Sequence, residues 1–438
     1  MCDTFANFAN HFVEKYFNKY CFIILRKIEH YGPVDLMTLG RHCSAQVPYS
    51  KIPICIKTLL RHNILKIQHG LTPVYTINHD GVQLLSRIPI LCEIGANFYG
   101  RQAEYLLLPT LLSGMVKSSE LIRIALIRST KGDLNREAEV IVDTLILLVE
   151  SGALLAFTKS ILLQPPEEIV RYQRFTLSKK DLLENLRKFI SVGAEAKNIR
   201  RFLPSPKVAA DWDLILSPNA NYLEALWRDQ LIARLATEQI NETAGKIMSH
   251  ILRIAAASKE HAVVSSIHSE TVSREQITQS FDCLPEHFES YLKLLLDDPM
   301  FLLEEKAGIA GGMYVCPYKK VFRSMLIRQA ENLTQILYEN TGLRIFRLLL
   351  EEGFHTWENM ENRLLIPQAD FRKTLPQMLA SGFVISKEFS KAKEFNVDTI
   401  VCVFNVDLAK IARVLIEFAQ HCVRCLSSRC EVELESKR

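Results

Sequence analysis

The chain has no apolar run long enough to cross a membrane. Its strongest stretch, AEVIVDTLILLV from Ala138, is interrupted by Glu139 and Asp143, whereas a spanning helix needs about 20 mostly apolar residues. The opening residues, MCDTFANFANHFVEKYF, supply neither a basic start nor a clean apolar segment, so no secretory leader is expected and the protein is expected to stay inside the cell. The eleven cysteines (Cys2, Cys21, Cys43, Cys55, Cys92, Cys283, Cys316, Cys402, Cys422, Cys425 and Cys430) are odd in number and fall in no framework spacing. They are expected to be reduced and mostly buried. With only 17 glycines and 16 prolines in 438 residues, a low-complexity or collagen-like chain is excluded. Catalytic motifs are missing as well: there is no HExxH, no GxSxG and no polymerase-type acidic triad, and the twelve histidines are dispersed. No enzymatic activity, metal or cofactor is expected of this chain.

What the chain does have is a repeated unit. Four times a leucine-rich stretch meets a polar or glycine break and then a short apolar run: LLRHNILKI from Leu59, LLVESGALLAF from Leu147, LLLDDPMFLLEE from Leu294 and MLASGFVISKE from Met378. Apolar residues at helical spacing, a helix stop and a strand-like run are the ingredients of a winged helix, whose third helix ends on a tight turn before a two-stranded ribbon. The expected fold is mainly α with small β wings, a tandem array of four winged-helix domains followed by a C-terminal helix. The expected boundaries are residues 6–78, 101–164, 219–319 and 331–407, with a connector at 165–218 and the last helix at 408–438. Modules of about 70 residues are marginal alone, so they are expected to pack on one another.

The sequence also predicts individual elements. One long helix from Phe12 to Ile28 should end at Tyr31-Gly32-Pro33, and the first wing should turn near Gly70. NYLEALWRDQLIARLATEQINETAGKIMSHILRIA reads as one long amphipathic span. Pro376 should kink the third helix of the fourth module, at a cost of about 3 kcal/mol. Gly308, Gly311 and Gly312 read as a wing turn, since no Lys-Ser or Lys-Thr follows as a phosphate loop requires. Asp297-Asp298 occupies the helix-to-strand break and reads as a turn or cap, not a catalytic pair.

Charge is slight overall, at +4, but unevenly placed. Between residues 171 and 207 ten Lys or Arg face three acids, a net +7, so the remainder sums to −3. This connector, through Arg171, Arg174, Lys179, Lys180, Arg187, Lys188, Lys197, Arg200 and Arg201, is the first candidate for phosphate contact. A solvated loop is the bland alternative. The second candidate is the third helix of module one, where Lys51, Lys57 and Arg61 could face a groove; a protein-facing surface is its alternative. Without Asn or Gln beside them, base-specific readout is not expected. In module two the corresponding helix carries Glu137, Glu139, Asp143 and Glu150 against Arg136, a face that repels phosphate and should contact protein. His421, Cys422, Cys425 and Cys430 look like half a zinc site, but no second ligand pair completes it, and ordinary thiols are expected.

KIEHYG with LLRHNIL, WRDQLIA around Arg228-Asp229-Gln230, LLLDDP, GGMYV from Gly311 and RIFRLLL from Arg344 together resemble one family: the winged-helix subunit of the initiation-specific heterotrimer of eukaryotic DNA-directed RNA polymerase III. The resemblance spans nearly the whole chain in the family's order. It implies a non-catalytic nuclear subunit supporting initiation and promoter opening at small RNA genes (tRNA, 5S rRNA). Implied partners are the clamp of the largest subunit, the other heterotrimer subunits, a promoter-bound initiation factor and, non-specifically, single-stranded or duplex DNA. Family members continue past the fourth module into a long helical hairpin, so residues 408–438 are expected to form a reduced or truncated anchor. A scaffold subunit of another nuclear complex would carry its winged helix late, after helical repeats. A free-standing DNA-binding regulator would carry a basic third helix in most modules.

Overall fold

The computed structural model describes residues 11–68, 72–129, 134–157, 179–180, 182–184, 214–257, 266–281, 285–306, 312–390 and 400–437. Along them the order helix, strand, helix, helix, strand, strand recurs four times. The first set is α1 (Lys19–Tyr31), β1 (Val34–Asp35), α2 (Leu36–Cys43), α3 (Ile52–Arg61), β2 (Leu65–Gln68) and β3 (Val74–Ile77). After α4 (His79–Tyr99), the second is α5 (Arg101–Ser113), β4 (Val116–Lys117), α6 (Ser118–Ser129), α7 (Leu134–Glu150), β5 (Leu154–Phe157) and β6 (Ile215–Pro218). After α8 (Ala220–Gln239), the third is α9 (Glu242–Ala257), β7 (Val272–Ser273), α10 (Arg274–Gln279), α11 (Phe288–Leu296), β8 (Glu304–Glu305) and β9 (Met313–Val315). The fourth is α12 (Tyr318–Glu352), β10 (His355–Thr356), α13 (Trp357–Leu364), α14 (Gln368–Ala380), β11 (Ile385–Ser390) and β12 (Ile400–Asn405), with α15 (Leu408–Ser436) after it. In each of the four three-stranded sheets the third strand lies in the middle, antiparallel to both neighbours. That topology is the winged helix.

The chain divides into two compact units, Ala9–Ser266 with Gln276–Asp282 and Ile267–Glu275 with Cys283–Arg438. The first holds the first two sheets and the second holds the last two. In the second unit Phe346, Phe371 and Phe383 are fully buried beside Met360, Leu375, Met378 and Ile411. Trp357 meets Phe371 edge to face with centroids 4.8 Å apart. Such aromatic burial contributes about 1.5–3 kcal/mol per side chain.

The helix stops are built by a small set of hydrogen bonds. At the end of α3, Asn63 adopts φ 56, the amide of Asn63 donates to the Leu60 carbonyl and that of Ile64 to Leu59. At the end of α14, Gly382 at φ 81 donates to Leu379, and Phe383 to Met378. Both are Schellman turns, in which a left-handed residue lets the orphan carbonyls find donors while the chain turns out of the helix. Gly152, at φ 85, takes the same place after α7. Asparagine tolerates that conformation, and glycine adopts it without penalty. The third unit differs: Asp297 caps α11, and Asp298 Oδ1 accepts the Met300 amide at 2.7 Å. The acidic pair is a turn.

A second device secures the first two stops. Asn78, just past β3, donates its backbone amide to Ile64 O and its side-chain amide to Asn63 O at 2.8 Å. Asn219, just past β6, does the same to Ala153 O and to Gly152 O at 2.9 Å. Each asparagine ties the end of the wing back to the left-handed residue that began it. Glycine at 81 follows from this closeness, because a Cβ there would strike the Asn63 carbonyl.

Several expectations need correction. The long first helix is two: residues 11–16 form one, and α1 restarts at Asn18, whose side chain accepts the Cys21 amide at 2.9 Å. A polar cap thus interrupts an apolar run. The long span after Asn219 is also two helices, α8 and α9, divided where Asn241 Oδ1 accepts the Ala244 amide at 2.9 Å. The 165–218 stretch is not a connector between modules, because its last four residues are the central strand β6, paired with β4 and β5. It is an insertion inside the second wing. Pro376 lies exposed inside α14, which continues to Ala380. Helix α12 runs from Tyr318 and breaks at Glu339, φ 56. Gly70, Gly308 and Gly311 lie outside the described residues, while Gly312, φ 65, sits just before β9.

Replacing Asn78 with alanine leaves the Asn63 carbonyl without its side-chain donor, at an expected cost of about 1–3 kcal/mol. Hydrogen exchange at the β2 and β3 amides should accelerate accordingly, with α5 to α7 unaffected.

Candidate nucleic-acid interface

Helix α3 buries Ile52, Cys55, Ile56 and Leu59 and leaves Lys51, Ile54, Lys57 and Arg61 exposed along the opposite side. The spacing of three, three and four residues places these four on one face. The structure therefore gathers the three basic residues predicted for this helix. No acidic side chain shares the exposed face, and Ile54 is 59% exposed between the cations. The far end of the helix is braced inside the same unit: glycine is required at Gly114, φ 71, because a Cβ there would meet the backbone of Arg61 and His62. The α5–β4 turn of the second winged helix thus packs against the stop of the first. His62, the C-cap of α3, lies edge to face on Phe17 with centroids 4.7 Å apart.

The charge extends beyond the helix. From Lys19 to Gln68 there are eight Lys or Arg (19, 26, 27, 41, 51, 57, 61 and 66) and two acids, Glu29 and Asp35, a net +6. Lys66 stands exposed on β2, and Arg26 and Arg41 are exposed on α1 and α2. Sequence reasoning missed these because charge was summed over the connector alone; a count module by module finds them. A helix face plus a basic wing can hold duplex phosphates in the winged-helix manner.

The other third helices differ. On α7, Glu139, Asp143 and Glu150 are exposed, and Glu137 accepts from the Ser129 hydroxyl. On α11, Glu289 is paired with Arg274. On α14, Arg372 and Lys373 are exposed with Asp370 and Pro376. Among these four helices, α3 alone combines several cations with no acid.

Of the connector's predicted residues, Lys179 and Lys180 are described and exposed. Arg171, Arg174, Arg187, Lys188, Lys197, Arg200 and Arg201 lie outside the described residues. Lys179 Nζ is 2.5 Å from Asp143 Oδ1 on α7. On α15, Cys425 Sγ is 3.6 Å from His421 Nε2, and among the described residues no three His, Cys, Asp or Glu gather in a way that could hold a metal. Cys21, Cys43, Cys55, Cys92 and Cys316 are buried, while Cys402, Cys425 and Cys430 are exposed. Among the described residues no helix is long and apolar enough to cross a membrane.

Two family models match this array. One, the RNA polymerase III subunit RPC82, covers residues 166–325. The other, the C-terminal winged-helix domain of POLR3C, covers residues 330–406. They follow one another in order and together take in more than half the chain. Both models are of RNA polymerase III subunits, and the chain is similar to them over that stretch. Similar proteins agree: DNA-directed RNA polymerase III subunit RPC3 of Mus musculus is 24% identical over 240 residues, 54% of this chain and 44% of that protein. The human protein of that name is 24% identical over 217 residues, covering 48% and 40%, and that of Danio rerio 25% over 223 residues, also 48% and 40%. The chain matches less than half the length of each. The RPC82 model begins inside the second wing's insertion and includes the WRDQ segment. There Arg228 Nε bonds Asp229 Oδ1 at 2.8 Å, and both are 7% exposed. The segment forms a buried ion pair in α8.

Burial, aided by the adjacent Arg61, holds the His62 imidazole down at about 4 from its ordinary 6.5. Between those values the unfolded chain binds the proton that the folded chain refuses, so stability is complete above 6.5 and is lost as pH falls toward 4. Melting temperature should decline over that window, and His62→Gln should flatten the decline.

Proposed function

We propose that the chain is a non-catalytic subunit of RNA polymerase III, acting in the nucleus to support initiation and promoter opening at tRNA and 5S rRNA genes. It docks on the clamp of the largest subunit, on the other heterotrimer subunits and on a promoter-bound initiation factor, while holding DNA weakly and without sequence preference. The ordered pair of family matches carries the polymerase assignment. The DNA contact rests on the acid-free basic face of α3 and the +6 charge around it. The mixed or acidic faces of the other third helices support protein docking, since like charge excludes phosphate.

Affinity purification of the tagged chain should recover the large subunits of RNA polymerase III; recovery of a different complex without them would overturn the assignment. For the DNA contact, Lys51, Lys57 and Arg61 changed together to alanine should lower the slope of log affinity against log salt on random duplex by about 2.5, since each phosphate neutralised by a cation contributes about 0.9 to that slope. An unchanged slope would remove α3 from the interface.

A further inference from the structure

The second wing carries the basic insertion, and one described part of that insertion is not free. Residues 179, 180 and 182–184 are helical. Lys179 reaches Asp143 at 2.5 Å, and Leu182 is buried at 2% exposure. Asp143 lies on the outward face of α7, in line with Glu139 and Glu150 at helical spacing and exposed like them. In a winged helix that face of the third helix is where a nucleic acid would lie. Here a lysine of the same module's wing meets that face through one ion pair, in a segment whose Leu182 is buried.

We propose that the second winged helix occupies its own third helix: residues 179, 180 and 182–184 dock on acidic α7 through the Lys179–Asp143 pair, and phosphate must displace this contact to engage Lys179. Two mutually exclusive partners, a carboxylate within the chain and a phosphate outside it, then compete for the Lys179 ammonium group. The pair is half exposed, with side-chain accessibilities of 51% and 53%, so it holds the segment weakly enough for a polyanion to replace it. The same docking accounts for an acidic helix beside a strongly basic wing in one module. The inference rests on the reading that the insertion's lysines contact nucleic acid.

The test uses the full chain and a labelled random-sequence duplex, followed by fluorescence anisotropy at low salt and by hydrogen exchange at residues 182–184. Asp143→Lys should bind DNA about two- to fivefold more tightly, and exchange at 182–184 should rise. Glu150→Lys, with the same charge change on the same helix, should do markedly less. Addition of DNA to the unaltered chain should itself raise exchange at 182–184, and Lys179→Ala with Lys180→Ala should weaken binding. If the lysine changes weaken binding while Asp143→Lys acts no differently from Glu150→Lys and DNA leaves the exchange unaltered, the competition is refuted and the phosphate contact stands. If Asp143→Lys loosens 182–184 but the lysine changes leave affinity untouched, the phosphate contact fails, the segment is only structural, and the proposal falls with it. Asp143→Asn, milder at this exposed site, repeats the comparison without charge reversal.

Discussion

Every one of the four units depends on ending its third helix within a residue or two and sending the chain back as a strand. An α-helix leaves its last four carbonyls without partners, and a strand leaving at the wrong angle would expose both the core and those carbonyls. Asn63, Gly152 and Gly382 solve this with a left-handed residue at the same place, and Asp298 solves it with a side-chain turn. From that point the register of each wing is set, since the strand that leaves the stop pairs with the next one at fixed partners such as Leu65 with Ile77 and Leu154 with Pro218. In the first two units Asn78 and Asn219 close the loop by binding the carbonyl of the left-handed residue itself. In the third, Cys316 at the end of the wing donates its amide to Ser269 Oγ at 2.9 Å. The fold repeats while the fastening changes.

Because the stops are local, they were the most legible part of the chain. Glycine or asparagine after a leucine-rich helix identifies them without any knowledge of long-range contacts. What escaped was whatever depended on partners distant in sequence. β6 is four residues, ILSP, and nothing local marks it as a strand; its identity comes from pairing with β4 and β5 across a 57-residue gap from β5. Reading Pro165 to Pro218 as a connector followed from that. The break at Asn18 escaped because the apolar periodicity of Phe12 to Ile28 continues in phase through it, while only a capping hydrogen bond reveals the interruption. A proline removes one hydrogen bond and need not end a helix whose buried side, Phe371, Leu375 and Met378, is anchored in the core.

The candidate interface was half legible. Lys51, Lys57 and Arg61 follow from helical spacing once α3 is recognised. Lys66, Arg26 and Arg41 require knowing which elements surround that helix. The opposite holds for the insertion, whose charge was conspicuous in sequence. Lys179 was counted there as available to phosphate, but its nearest partner is a carboxylate on α7. Charge along a chain locates a potential interface; whether that charge is free is a property of the folded neighbourhood.

A repeated fold therefore says little about a repeated function. The inward side of each third helix is constrained by close packing, where even one methylene matters, so it stays largely apolar, with Thr144 on α7 and Thr374 on α14 buried among the apolar side chains. The outward side contributes almost nothing to stability, as exposed charges and ion pairs are worth well under about 1 kcal/mol each. Selection can then recharge it without unfolding the module. One face here is basic, one acidic and met by a lysine of its own wing, one carries an acid paired with Arg274, and one mixes Arg372 and Lys373 with Asp370. Such divergence is what a scaffold in a large assembly requires, because four identical phosphate-binding faces would compete for one nucleic acid, whereas four different faces can each hold a different neighbour.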